Sequence, residues 1–197
     1  MSAIEVSDLI PNSEYLKVRA EYRQRVQAIK DARRVLAGPY LNFLFENKAT
    51  MLYQVQEMIR AENMQSATAI QHEIDTYNEL VPGPNQLKAT LLIEIENPQA
   101  RAFKLKELVG LEGQISMLID RDFQIQAEYD RRQVDEGKIS SVQFLTFNLG
   151  AAAAEALMSS GAVEILTTHP ACSYRIGLSA PQVAALSDDL KENAHPA

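Results

Sequence analysis

The hydrophobic positions change their period along the chain. From Asn12 to Leu36, Tyr15, Val18, Tyr22, Val26, Ile29 and Leu36 recur three, four or seven residues apart, the stripe of one long amphipathic helix. Asn12 or Ser13 is placed to cap it, Pro11 stands just outside, and Gly38-Pro39 stops it. The aromatic run Tyr40 to Phe45 then predicts a strand, bounded by Glu46-Asn47. Helical spacing returns twice: from about Lys48 to Asn63, with Asn47 as cap, and from about Thr68 to Leu80, with Thr68 and Gln71 in capping-box spacing. Pro82-Gly83-Pro84 enforces a turn.

The second half reads mainly as strands. Lys88 to Ile95, Gln114 to Ile119, Phe123 to Tyr129 and Ser141 to Phe147 carry β-branched and aromatic residues between polar breaks. A helix opens at Asn97-Pro98 and closes near Gly110, and an Ala-rich helix covers Ala151 to Ser159. Val163 to Thr168 and Tyr174 to Leu178 form a hairpin around His169 and Cys172, and a last helix starts at Ser179 and fades into a polar tail over 192–197. Asp130 to Lys138 is a polar loop. Strands in succession predict antiparallel pairing. The expected fold is one α+β domain over 1–197, a helix-rich N-terminal half packed on a mainly antiparallel sheet from the C-terminal half.

Charge narrows the function classes. Over 197 residues, 19 Lys+Arg against 26 Asp+Glu leave a net charge of −7, which argues against nucleic acid as a partner. The first helix runs against this balance: Lys17, Arg19, Arg23, Arg25, Lys30, Arg33 and Arg34 make it basic. That face is either a dock for an acidic partner or a solvated surface pairing with acids of its own domain. A lone cysteine, Cys172, suits a reducing compartment. No stretch approaches the ~20 apolar residues of a membrane span and the N-terminus has no secretory pattern, so a cytoplasmic protein is expected. The long apolar-faced helices would suit a homo-oligomer.

No glycine-rich phosphate loop, GxSxG, CxxC, HExxH or EF-hand pattern is present. Candidate chemistry comes from helix geometry instead. At about 100° per residue, Glu62 falls inside the stripe of Met51, Leu52, Val55, Met58 and Ile59, and Glu73 falls on the apolar side of the next helix. A carboxylate among apolar residues needs a partner. Either Glu62 and Glu73 hold a metal ion, with Glu94 on the adjacent strand as a further ligand, or each accepts from a basic group such as Arg60 or an arginine of the first helix, or Glu62, near its helix end, simply reaches water. His72 and Asp75 stand in pairing distance, as an exposed ion pair or as general acid/base groups. His169 and Cys172 share a turn, either as a structural corner or as a histidine-activated thiolate.

Leu44-Phe-Glu-Asn47, Gln54-Val-Gln-Glu-Met-Ile-Arg60 with Glu62, Gln71-His-Glu-Ile-Asp-Thr-Tyr-Asn78, Leu87-Lys-Ala-Thr-Leu-Leu-Ile-Glu94, Ile139-Ser-Ser-Val-Gln-Phe144 and His169-Pro170 occur in one order over nearly the whole chain. Together they resemble an uncharacterised bacterial family, the domain of unknown function 3501. Thr168 stands where the family pattern often has Asp. The resemblance implies company with rubrerythrin-like proteins and iron–sulfur oxidoreductases, and so iron or haem as candidate cofactors. Two functions are expected from this: an accessory or binding protein of an iron- or peroxide-related redox system, or a metal-dependent enzyme on Glu62, Glu73 and Glu94 with His72 or His169 moving protons. A structural protein without chemistry is the default behind both.

Overall fold

A computed structural model describes residues 3–129 and 137–194. Of the expected loop over 130–138, residues 130–136 lie outside the described residues; of the expected polar tail over 192–197, residues 192–194 belong to the last helix, Ala180–Ala194, and 195–197 lie outside the described residues. The helices are α1 (Asn12–Asp31), α2 (Lys48–Ala61), α3 (Ala67–Asn78), α4 (Pro98–Glu107), α5 (Gly150–Ser160) and α6 (Ala180–Ala194). The strands are β1 (Arg34–Ala37), β2 (Leu41–Glu46), β3 (Gln86–Ile93), β4 (Ile115–Ile119), β5 (Phe123–Gln126), β6 (Glu128–Tyr129), β7 (Val142–Asn148), β8 (Val163–His169) and β9 (Cys172–Gly177).

Every strand pairing is antiparallel. One sheet has the order β1-β2-β3-β7-β6 and the other β5-β4-β8-β9. Side chains alternate along β3, with Leu87, Ala89, Leu91 and Ile93 turned into the main core beside Phe43 and Phe45 of β2. Met117, Ile119 and Ile165 of the second sheet enter the same core, as do Leu157 of α5 and Leu186 of α6. The two sheets meet at a corner where β5 passes into β6. There the Ala127 amide donates to Ile115 of the second sheet, and Glu128 pairs with Thr146 of the first.

Helices α2 and α3 build a second, smaller core around Met51, Val55, Ile59 and Ile74, closed by Ile4 and Val81. Because helices cover the outer face of β2, that strand is buried on both faces: Leu41, Phe43 and Phe45 point inward, while Asn42, Leu44 and Glu46 point under the helical layer. None of the helices among the described residues is long and apolar enough to cross a membrane.

The fold is α+β as expected, and the differences are local. The first helix ends at Asp31 rather than Leu36, and its side chains provide no N-terminal cap. Val35, Leu36 and Ala37 alternate buried, exposed, buried as the strand β1. Helix α3 is capped by Ser66, which accepts from the Ala69 amide, so Thr68 is not the cap. The first sheet draws β1, β2 and β3 from residues 34–93, so the sheets are not confined to the C-terminal half. Asn47 caps α2, and Pro98 opens α4, both as expected.

Candidate functional site

The most heavily built polar cluster lies between β2 and the helical layer. Glu46 ends β2, and its carboxylate accepts from Thr50 Oγ1 at 2.6 Å and Thr90 Oγ1 at 2.7 Å. Burial pushes its pKa upward against these two hydroxyls and the charges of Lys30 and Arg34. Burial likewise lowers Lys30, which lies 5.3 Å over the Tyr53 ring. The next residue, Asn47, caps α2 by accepting from the Thr50 amide at 3.0 Å and donates to Asp189 of α6 at 3.0 Å. Asp189 also receives the Arg33 guanidinium in a two-bond grip. A second grip joins α1 to α2: Arg19 donates twice to Glu57, which also accepts from the buried Tyr15 hydroxyl at 2.7 Å. The Arg19 bonds lead in holding the Glu57 carboxyl down to about 2.

These grips absorb much of the basic face expected on the first helix. Arg19 and Arg33 serve Glu57 and Asp189, Lys17 pairs with Glu14, and Lys30 covers Tyr53. Arg23 and Arg25 remain exposed, with Arg25 near the Tyr22 ring.

The residues singled out from the sequence separate into three places. Glu62 is the exposed C-cap of α2, and Glu73 is half-buried on α3. Both act electrostatically on Tyr77, whose hydroxyl is raised first by burial, then by Glu73, Glu46 and Glu62. Glu94 does not join them. Glu46 pairs in register with Lys88, and Glu94 lies six residues further along, about 20 Å at strand rise. Among the described residues no group of three or more His, Cys, Asp or Glu is arranged to hold a metal ion. His72 is exposed, and Asp75 accepts from Gln71 at 2.8 Å. His169 is buried in the β8–β9 corner with both ring nitrogens engaged by backbone: Nδ1 faces the Ala171 amide and Nε2 the Val109 carbonyl, each at 3.2 Å. Cys172 is buried beside Thr167 and Tyr40, and burial raises its thiol.

The sequence reading missed Glu46, Glu57 and Asp189, the three carboxylates that carry the interior polar contacts. The signal for Glu46 was its period-two spacing from Asn42 and Leu44, which puts it on the helix-covered face. Glu57 sits opposite its helix's apolar stripe, which reads as solvent until α1 is laid across it.

Glu94 has its own surroundings. It accepts from Asn42 Nδ2 at 3.1 Å and lines two adjoining open clefts that share Pro39, Ile95 and Glu96. One continues to Arg101 and Val142. The other reaches Tyr40 and Lys104, whose ammonium sits 5.7 Å from the Tyr40 ring centroid.

A solved structure of a Burkholderia pseudomallei protein, described as a novel protein of unknown function, is similar throughout. It is 34% identical, with a TM-score of 0.90 over 96% of this chain and 100% of that one. No curated protein matches the chain. The family described as protein of unknown function (DUF3501) matches residues 3–190, nearly the whole length. The chain therefore belongs to the DUF3501 family.

Proposed function

We propose that the protein is an accessory binding module that docks through the exposed arginines of α1, Arg23 on one flank of the helix and Arg25 on the other, onto an acidic surface of a redox partner. The carrying observation is that α1 is anchored within its N-terminal half and again just past its C-terminal end, yet largely uncovered. Arg19 and Arg33 clamp it to α2 and α6, while Leu16, Val18, Arg23 and Arg25 stay exposed. A helix held rigid by its own acids presents its remaining charges at low entropic cost. The family resemblance supplies the partner class, a rubrerythrin-like or iron–sulfur oxidoreductase protein. The test is binding of such a partner to wild-type protein and to the double variant Arg23→Glu, Arg25→Glu at low and high salt. The reading expects loss of binding on charge reversal and weakening by salt. Charge-reversed protein that binds as tightly as wild type overturns it.

A second reading, a metal-dependent enzyme on Glu62 and Glu73, is favoured by the charges of Glu73 and, more weakly, Glu62 both acting on Tyr77. It expects iron in protein purified without chelators, or a haem band in its spectrum, and loss of that metal in Glu73→Ala. Stoichiometric metal that survives Glu73→Ala and Glu62→Ala overturns it.

A further inference from the structure

Tyr15 and Tyr22 of α1 and Tyr53 of α2 pack in series. The chain has no tryptophan, so tyrosines are its most readily oxidised aromatic side chains. Tyr15 is 0% exposed, and its ring meets that of Tyr22 edge-on at 5.7 Å. Tyr22 in turn stacks on Tyr53 at 6.1 Å, and both of these are half-buried. The series therefore leads from solvent into the interior.

The three rings differ in the charge beside them. The Arg25 guanidinium lies 5.6 Å from the Tyr22 ring centroid, and the Lys30 ammonium 5.3 Å from that of Tyr53. A cation over a ring opposes the loss of an electron from it. Tyr15 faces a carboxylate instead: its hydroxyl donates to Glu57 Oε1 at 2.7 Å. A phenol gives up an electron far more readily when its proton can leave at the same moment, because the phenol radical cation is a very strong acid. Burial and the Glu57 bond keep the Tyr15 hydroxyl protonated at rest, and the Arg19 grip keeps its acceptor ionised and in place. An electron vacancy opened at the outer pair thus runs downhill to Tyr15.

We infer that Tyr15 is a redox-active tyrosine, oxidised through the Tyr22–Tyr53 stack by a one-electron, metal-centred oxidant at the surface, with Glu57 as its proton acceptor. The oxidant takes one electron from the outer stack and is itself reduced by one. Tyr15 refills the stack with one electron, and its O–H bond breaks as the proton passes to Glu57 Oε1. The products are the neutral Tyr15 radical, a protonated Glu57 and the reduced metal centre, so charge and atoms balance. Return of one electron to Tyr15 draws the same proton back. The acidity that Arg19 imposes on Glu57 favours that return, which makes the cycle reversible. This inference stands apart from docking through α1, because any oxidant of this class that reaches the stack suffices, and its test uses no partner protein.

The test mixes the whole protein with an equimolar amount of hexachloroiridate(IV), a one-electron metal oxidant, and freezes it within milliseconds for electron paramagnetic resonance. Wild type should show a tyrosyl radical whose signal shrinks at least about tenfold in Tyr15→Phe, the population ratio carried by 1.4 kcal/mol. Glu57→Gln should slow its formation about a hundredfold or more, the usual contribution of a positioned proton acceptor. Tyr22→Phe keeps Tyr15 and Glu57 in place and should slow it about tenfold. Tyr15→Phe and Tyr22→Phe each delete a single hydroxyl, and circular dichroism checks the folding of all three variants. The assignment is overturned if wild type gives no tyrosyl signal, if Tyr15→Phe gives one of wild-type size, or if Glu57→Gln or Tyr22→Phe forms it at the wild-type rate.

Discussion

Arg33, two residues past the end of α1, grips Asp189 of α6 through Nε–Oδ2 at 2.9 Å and Nη2–Oδ1 at 2.7 Å, while Asn47 donates to the same carboxylate. The side chains are 11% and 3% exposed, so the pair is shielded from water. Three segments distant in sequence converge on one charge: the α1–β1 joint, the start of α2, and α6.

Asp189→Ala is expected to destabilise the protein by about 3–5 kcal/mol, because it strands the Arg33 guanidinium in a buried site. Asp189→Asn keeps an acceptor for Arg33 and is expected to lose less. Urea unfolding midpoints of the two variants against wild type check this ordering.

Two carboxylates make opposite pH contributions. The Glu57 pKa is depressed to about 2 from its ordinary 4.5, so its stabilisation is present above 4.5 and disappears as pH falls toward 2. The Glu46 pKa is raised above 4.5, so its protonated form favours folding below that value, and the benefit fades as pH climbs through the folded-state pKa. Glu57→Gln should therefore flatten the melting temperature below pH 4.5, and Glu46→Gln should flatten it above. Melting curves from pH 2 upward separate the two windows.

Much of the architecture was legible because it rests on local chemistry. Asn47 caps α2 and Pro98 opens α4 through groups within three residues of each. The β8–β9 hairpin shows as two β-rich runs around a short turn. The end of α1 was not legible, because Leu36, seven residues after Ile29, fits the extended helical stripe as well as a strand. Four residues are too few to tell a period of 3.6 from one of 2. Glu62 illustrates the limit at the site. Its angle on α2 matches the apolar stripe, but the helix ends at Ala61 and leaves it in solvent. Glu46 erred in the other direction: a polar residue after an aromatic run reads as a boundary, and only the overlying helices make it interior.

Gly38 has φ of +64°, and a Cβ there would lie 2.2–2.6 Å from the Tyr174 ring of β9. Gly38→Ala should cost more than the roughly 1–2 kcal/mol of left-handed backbone alone. In a Tyr174→Ala background only that backbone cost should remain, so a double-mutant cycle in urea should show strong coupling. Additive effects would mean that the ring moves aside freely.

Cys172 is 2% exposed and its thiol is raised by burial. A disulfide reagent at pH 8 should leave native protein essentially unmodified and label one thiol once urea unfolds it. Rapid labelling of native protein would show that the β8–β9 corner opens readily.

The continuous passage of β5 into β6 makes the two corners of the molecule unequal. At Ala127 the chain itself stitches one sheet to the other through backbone hydrogen bonds. At the opposite seam β1 and β9 are both sheet edges, and their recorded ladder bonds run only to β2 and β8. Closure there rests on side chains such as Tyr174 against Gly38. Amide protons of β1 and β9 should therefore trade with deuterium ahead of those in β3 and β4, so that the fold loosens like a book from its fore-edge while its spine stays bound.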